Sequence, residues 1–215
     1  MKRSSVLSSI LLRRTLMAGA AVTTALLLTA CGGDTSSESG TDTGSAAPSA
    51  AASTAAATFN DADVTFTQSM IMHHGQAVEM ATMAESRASN AEVKDLAGKI
   101  KAAQQPEIDT MSQWLTAWGK PAPSMSAGMN MPGMDQGSMP GMMSDADMKK
   151  LMDAQGKEFD KQFLTMMITH HKGAITTAKQ ETSNGSNPDA KALAEKIISD
   201  QQEEITTMQG ILARL

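Results

Sequence analysis

The feature that most constrains this chain is an internal repeat. A shift of 97 residues aligns residues 63–115 with 160–212 without a gap, and 23 of the 53 positions are identical. Asp63, Phe66, Met70, Ile71, His73, His74, Ala77 and Ala81 recur as Asp160, Phe163, Met167, Ile168, His170, His171, Ala174 and Ala178. Further on, Asn90, Leu96, Ala97, Ile100, Gln104, Glu107, Ile108, Met111 and Leu115 recur as Asn187, Leu193, Ala194, Ile197, Gln201, Glu204, Ile205, Met208 and Leu212. One register held over a whole segment means two copies of one supersecondary unit, each of which needs a neighbour to cover its apolar face.

The unit reads as a helical hairpin. Phe66, Met70, His73, Ala77, Met80 and Ala84 follow alternating steps of four and three, which put them on one helical stripe. Ala97, Ile100, Gln104, Ile108, Met111 and Leu115 form a second stripe. Between them Ser89-Asn90-Ala91-Glu92 has the spacing of a capping box. In the second copy Asn187-Pro188 places a cap before Pro at the first helical position. Gly119 and Gly185 supply breaks. Two hairpins with short turns predict an all-α fold, an antiparallel four-helix bundle. A short extra helix is expected near 145–155, with Gly156 separating it from the next.

Ahead of the repeats, residues 1–30 read as an export signal. Lys2, Arg3, Arg13 and Arg14 precede an apolar run from Leu16 to Leu28, too short for a confident membrane span. The run ends Leu28-Thr29-Ala30-Cys31, which resembles a bacterial lipobox. It puts the chain's one cysteine where lipid is attached, so we expect lipidation of Cys31 and anchoring at the outer face of the cytoplasmic membrane. Arg13-Arg14 loosely resembles a twin-arginine signal, with ordinary secretion the alternative. Residues 31–57 hold Ser, Thr, Ala, Gly and Asp with almost no large apolar side chain. We expect a disordered tether. A net charge of −5, 3% aromatic residues and no Tyr argue against nucleic acid as a partner. A single Cys excludes an intramolecular disulfide and a Cys-based zinc site.

All four histidines lie in two matched doublets, Met70-Ile71-Met72-His73-His74 and Met167-Ile168-Thr169-His170-His171. On a helix, positions three and four apart share a face, so the thioether of Met70 or Met167 and the imidazoles that follow can converge on one ion. In dimetal bundles a Glu-x-x-His pattern does this work; here Met stands at the Glu position in both copies. Thioether with imidazole is a softer donor set, which favours copper, Cu(I) above Cu(II). The bland alternative is a hydrogen-bonded core histidine beside filler methionine. Met80, one long step from His73, is a further candidate ligand, and its counterpart is Thr177. Hairpin arithmetic places Gln104 and Gln201 opposite the doublets, and Glu107 and Glu204 opposite Met70 and Met167. Such residues could orient an imidazole by accepting its N–H.

The connector between the repeats, from about 119 to 143, is a methionine tract: Met125, Met129, Met131, Met134, Met139, Met142 and Met143, interrupted by Pro and Gly. Pro and Gly break helical periodicity, so these side chains are not core filler by pattern. Clustered thioethers suit capture of Cu(I) or Ag(I), and they do not form disulfides in an oxidising compartment.

The Phe-x-x-x-Met-Ile-x-His-His-x-x-Ala pattern, met at Phe66 to Ala77 and again at Phe163 to Ala174, resembles the signature of the domain-of-unknown-function family DUF305. The resemblance extends over nearly all of residues 58–215. It implies a ferritin-like bundle, export and an association with copper handling. The functional reading is therefore a lipoprotein that buffers, sequesters or transfers copper, or silver. Its partners would be copper ions, the membrane and a copper-transfer protein. The alternatives are a metal-dependent oxidase on the same bundle and a metal-free helical interaction module.

Overall fold

The computed structural model describes residues 58–123 and 139–215. Helix α1 (Asp61–Arg87) begins at a reciprocal cap: the Asn60 side chain accepts from the Ala62 and Asp63 amides, and the Asp63 carboxylate accepts from the Asn60 amide. Helix α2 (Ala91–Ala117) is capped by Asn90, which accepts from the Glu92 and Val93 amides. The capping box expected at Ser89–Glu92 does not form, because the Ser89 hydroxyl donates to Asp160 instead. Helix α3 (Asp145–Asp153) is the short extra helix, started by the Ser144 side chain. Gly156, at φ 61°, separates it from α4 (Gly156–Asn184). Helix α5 (Pro188–Leu212) starts as expected, with Asn187 as cap and Pro188 in its first turn.

The long helices form an antiparallel bundle of two hairpins. Helix α1 packs on α2, α4 packs on α5, and the hairpins meet along α1 and α4. At the rim Lys196 of α5 pairs with Glu107 of α2 at 2.9 Å, and Arg214, just past the end of α5, pairs with Glu92 of α2 at 2.6 Å. Helix α3 lies against α1 and α4 and buries Met148 and Leu151. Among the described residues no helix is long and apolar enough to cross a membrane.

The core is divided along the bundle axis. One apolar cluster gathers Ala77, Met80 and Ala84 of α1, Phe159, Phe163 and Met167 of α4, and the buried face of α3. A second gathers Phe66, Met70 and Ile71 of α1, Met111 and Leu115 of α2, and Ala174 and Ala178 of α4. Between them in sequence, on both α1 and α4, stand the histidines.

The hairpins are tied to one another through two fully buried aspartates. Asp160 accepts from the Ser89 amide at 3.1 Å, the Ser89 hydroxyl at 2.5 Å and the Asn90 amide at 3.0 Å. Asp63 accepts from the Ser186 amide at 3.0 Å and the Asn187 amide at 2.9 Å. The first helix of each repeat thus holds the start of the second helix of the other repeat. Both aspartates stand near a helix start, where a negative charge suits the helix N-terminus. That accounts in part for Asp63, in the first turn of α1. Asp160 lies beyond the first turn of α4, and its role is the contact between hairpins.

Candidate metal centre

The matched doublets place two imidazoles per repeat on the faces of α1 and α4 that meet. The His73 and His170 rings lie 3.7 Å apart between centroids, tilted by 40°. His170 and His171 follow at 6.4 Å. All four side chains are buried, as are Gln104 of α2 and Gln201 of α5. Where the sequence suggests one site per hairpin, the structure gives one polar layer across the middle of the bundle. Met70 borders it within one apolar cluster and Met167 within the other.

Hydrogen bonding sets the tautomers. His74 Nε2 lies 2.8 Å from Glu107 Oε2, and His171 Nε2 lies 2.6 Å from Glu204 Oε2. His73 Nε2 lies 3.2 Å from the Pro140 carbonyl oxygen. Carboxylates and carbonyls only accept, so each of these three imidazoles donates from Nε2, and in its neutral form carries its lone pair on Nδ1. Each of those Nδ1 atoms is buried without a partner, as are both nitrogens of His170. The Gln104 amide and the Gln201 carbonyl oxygen are also unpartnered. A buried layer with this many unused polar atoms is unusual in a native core and calls for a ligand.

His73 and His170 resist protonation. Burial, followed by the repulsion a protonated His74 would add, pushes His73 down to about 3. Burial and the neighbouring histidines also hold His170 well below the ordinary imidazole range. Both remain neutral donors at any physiological pH. Glu107 is held below its usual value: burial would raise it, but the bonds to His74 and Lys196 outweigh that. It is an anion backing an imidazole, the arrangement that orients metal-binding histidines.

The end of the connector is docked onto this layer. Pro140 reaches His73, and Gly141, at φ 80°, packs against Gly173 of α4. A Cβ at Gly173 would overlap the Pro140 carbonyl, so only glycine admits this approach. On the other side the Gln76 side chain clasps Met143 by two bonds, Nε2 to the carbonyl at 2.9 Å and Oε1 from the amide at 2.7 Å. Gln76 and Gly173 are equivalent positions of the two repeats. Their difference lets one strand of connector lie over an otherwise paired structure.

Of the residues singled out from sequence, His73, His74, His170, His171, Glu107 and Glu204 come together in the layer, while Met70, Met167, Gln104 and Gln201 are buried on the same four helices. The imidazole partners are Glu107 and Glu204; the glutamines make no such bond. Met80 is fully buried among apolar side chains beneath α3. Met139, Met142 and Met143 are partly buried on the docked strand. Met125, Met129, Met131, Met134 and Cys31 lie outside the described residues. Sequence reasoning missed Gln76, Pro140 and Gly173. The available signal for Gln76 and Gly173 was their mismatch within a motif that otherwise repeats.

The model of the domain of unknown function DUF305 matches residues 63–212. The chain belongs to the DUF305 family. Solved DUF305 structures share its fold. A protein from Streptomyces coelicolor has a TM-score of 0.63 and 36% identity, covering 71% of this chain and 93% of its own. A fragment from Deinococcus radiodurans has a TM-score of 0.64 and 30% identity, covering 73% and 98%. The Cu(II)-bound form of the protein CopM has a TM-score of 0.59 and 32% identity, covering 71% and 96%. CopM has also been solved in Cu(I)-bound and silver-bound forms. Among curated proteins, an uncharacterized protein of Acanthamoeba polyphaga mimivirus is 47% identical over 53 residues. That match spans 25% of this chain and 35% of the mimivirus protein.

Proposed function

We propose that this DUF305 protein binds copper, Cu(I) in preference to Cu(II), at the histidine layer, and that it buffers, sequesters or hands on the ion outside the cytoplasm. The observation that carries this reading is the set of unpartnered Nδ1 atoms of His73, His74, His170 and His171, buried between thioether-bearing clusters. Among the described residues no group of three His, Cys, Asp or Glu is arranged to hold a metal. In this reading the ion draws on thioethers as well as imidazoles, a donor set suited to Cu(I). Met70 and Met167, one turn from the histidines, are the nearest in sequence. Glu107 and Glu204 then fix His74 and His171 with Nδ1 towards the ion. CopM, of the same fold and solved with Cu(I), Cu(II) and silver, supports the choice of ion.

Residues 1–30 serve as the export signal, and Cys31 carries the lipid. Residues 31–57 are the tether, and the connector from about 119 to 143 is a looser capture arm between repeats at about 58–118 and 144–215. The Streptomyces relative, named as a secreted protein, supports export. The reading is tested by anaerobic titration with Cu(I) against a competing chelator, beside a variant with all four histidines changed to Ala. Tight uptake by the wild type and weak residual uptake by the variant is the expected result. Equal uptake would move the copper to the methionine tract. No uptake by either would leave a helical interaction module.

A further inference from the structure

The two ends of the bundle are equivalent by repeat, yet they are finished differently. At one end Met80, Met83 and Ala84 of α1 and Phe159, Phe163 and Met166 of α4 make an apolar seat that α3 fills with Met148 and Leu151. The equivalent surface at the other end is a cavity of about 470 Å³ between the N-terminal half of α1 and the C-terminal half of α4. Its wall includes Phe66, Thr177, Gln180, Glu181, Met139 and Pro140. Thr177, Gln180 and Glu181 stand where the first repeat has Met80, Met83 and Ala84. Three apolar side chains of the filled seat are thus replaced by polar ones in the open cavity.

Glu181 is the unusual member. It is 1% exposed, no N–H group donates to either carboxyl oxygen, and its carboxyl lies against that of Asp63. Two buried carboxyls in contact are costly unless a proton or a cation lies between them. Its neighbour is a second carboxyl, Asp63, so the pair holds a proton that an arriving cation can displace. No Lys or Arg lines the cavity, while Asp61 does. The charge therefore suits a cation and opposes an anion. A thioether, Met139, shares the wall, which suits a soft cation.

The cavity also borders the histidine layer. Pro140 lines it and at the same time holds His73 Nε2 through its carbonyl oxygen at 3.2 Å. Thr177 and Glu181 continue the α4 stripe from His170 through Ala174. Two helical turns span about 10 Å, so the cavity is a short step from the layer with the Pro140–Gly141 strand between them.

We infer that this cavity is the access site through which a soft monovalent cation reaches the histidine layer, with Glu181 and Met139 receiving the ion and the Pro140–Gly141 strand as the partition it passes. The inference rests on the copper reading of the layer. It assigns to Glu181, Thr177 and Gln180 a role in the rate of loading and none in the final affinity.

The test is the rate at which full-length protein withdraws Cu(I) from a chromophoric chelate, with the equilibrium endpoint read in the same anaerobic experiment. The variants are Glu181→Gln, which keeps the shape, and Thr177→Leu with Gln180→Leu, which fills the cavity. Melting of the metal-free variants checks folding, and if the leucine pair fails to fold, Glu181→Gln decides. We expect endpoints within about twofold of wild type and loading slowed about tenfold or more in each folded variant. Unchanged rates with intact endpoints would overturn the access site and leave the copper reading standing. Lost endpoints would make these residues part of the binding site itself and equally overturn an access role. An endpoint unaffected by His73→Ala with His170→Ala would instead sink the copper reading of the layer.

Discussion

Acid should destabilise the metal-free protein through His73, by an amount the structure allows to be worked out. In the fold His73 is pushed down to about 3, against an ordinary value of 6.5. Between those values the unfolded chain binds a proton that the folded chain refuses. The contribution of His73 to stability is therefore complete above 6.5 and is lost as the pH falls towards 3. At pH 5 the difference is about one and a half logarithmic units, or about 2 kcal/mol. Glu181 acts in the opposite sense, so the wild-type curve alone mixes the two. The comparison with His73→Asn cancels the effect of Glu181 and leaves that of His73, together with its influence on His170. Urea unfolding of both metal-free proteins at pH 7 and pH 5 gives the four stabilities needed. The wild type should lose about 2 kcal/mol more than the variant on acidification. Equal losses would mean that His73 titrates in the fold as it does in water. His73 would then not be a neutral buried donor at that pH.

Three other outcomes follow from the same geometry. Burial and the adjacent Asp63 push Glu181 up to about 8 from an ordinary 4.5, so its contribution is complete below 4.5 and lost as the pH rises to about 8. Glu181→Gln should flatten the fall in urea midpoint between pH 5 and pH 8, and an unchanged slope would refute the assignment. Asp160→Ala removes three hydrogen bonds and leaves two amides at the start of α2 without their acceptor. It should cost about 3–5 kcal/mol and lower the melting temperature by roughly 6–20 °C; a loss under about 1 kcal/mol would show that the hairpins do not depend on this contact. Gly173→Ala forces the connector strand off α4 and should destabilise, whereas Gly98→Ala, where a Cβ meets nothing, should stabilise by about 0.5–1 kcal/mol. Calorimetry of the pair in parallel checks the sign of each.

The shared residues of the repeat made the fold legible. The stripes from Phe66 to Ala84 and from Ala97 to Leu115 are the buried faces of α1 and α2, with Ile108 only partly covered. The second repeat follows them. The histidines were legible as a matched set, because all four stand at equivalent positions and the rest of the chain has none. What periodicity could not supply was the relation between the hairpins. A stripe gives a face and not its partner, so the meeting of His73 with His170, and of Asp160 with Ser89, came only with the structure. Hairpin arithmetic put glutamine opposite the doublets and glutamate opposite the methionines. A long glutamate side chain reaches about a turn along the helix, and Glu107 and Glu204 take the imidazoles. The asymmetric features were written in the mismatches: Gln76 against Gly173, Met80 against Thr177, Ala84 against Glu181. An alignment of the halves weighs identities and passes over such pairs, yet these are the places where the connector and the cavity break the repeat.

The central claim is that copper sits among imidazoles and thioethers inside the bundle. X-ray absorption at the copper edge, on protein loaded anaerobically with one equivalent of Cu(I), tests it most directly. The account predicts a mixed shell of nitrogen and sulfur, with the multiple scattering of imidazole, that collapses to sulfur alone when the four histidines are changed to Ala. A sulfur-only shell in the wild type would contradict it, and would place the ion on the methionine connector with the histidine layer left to structure.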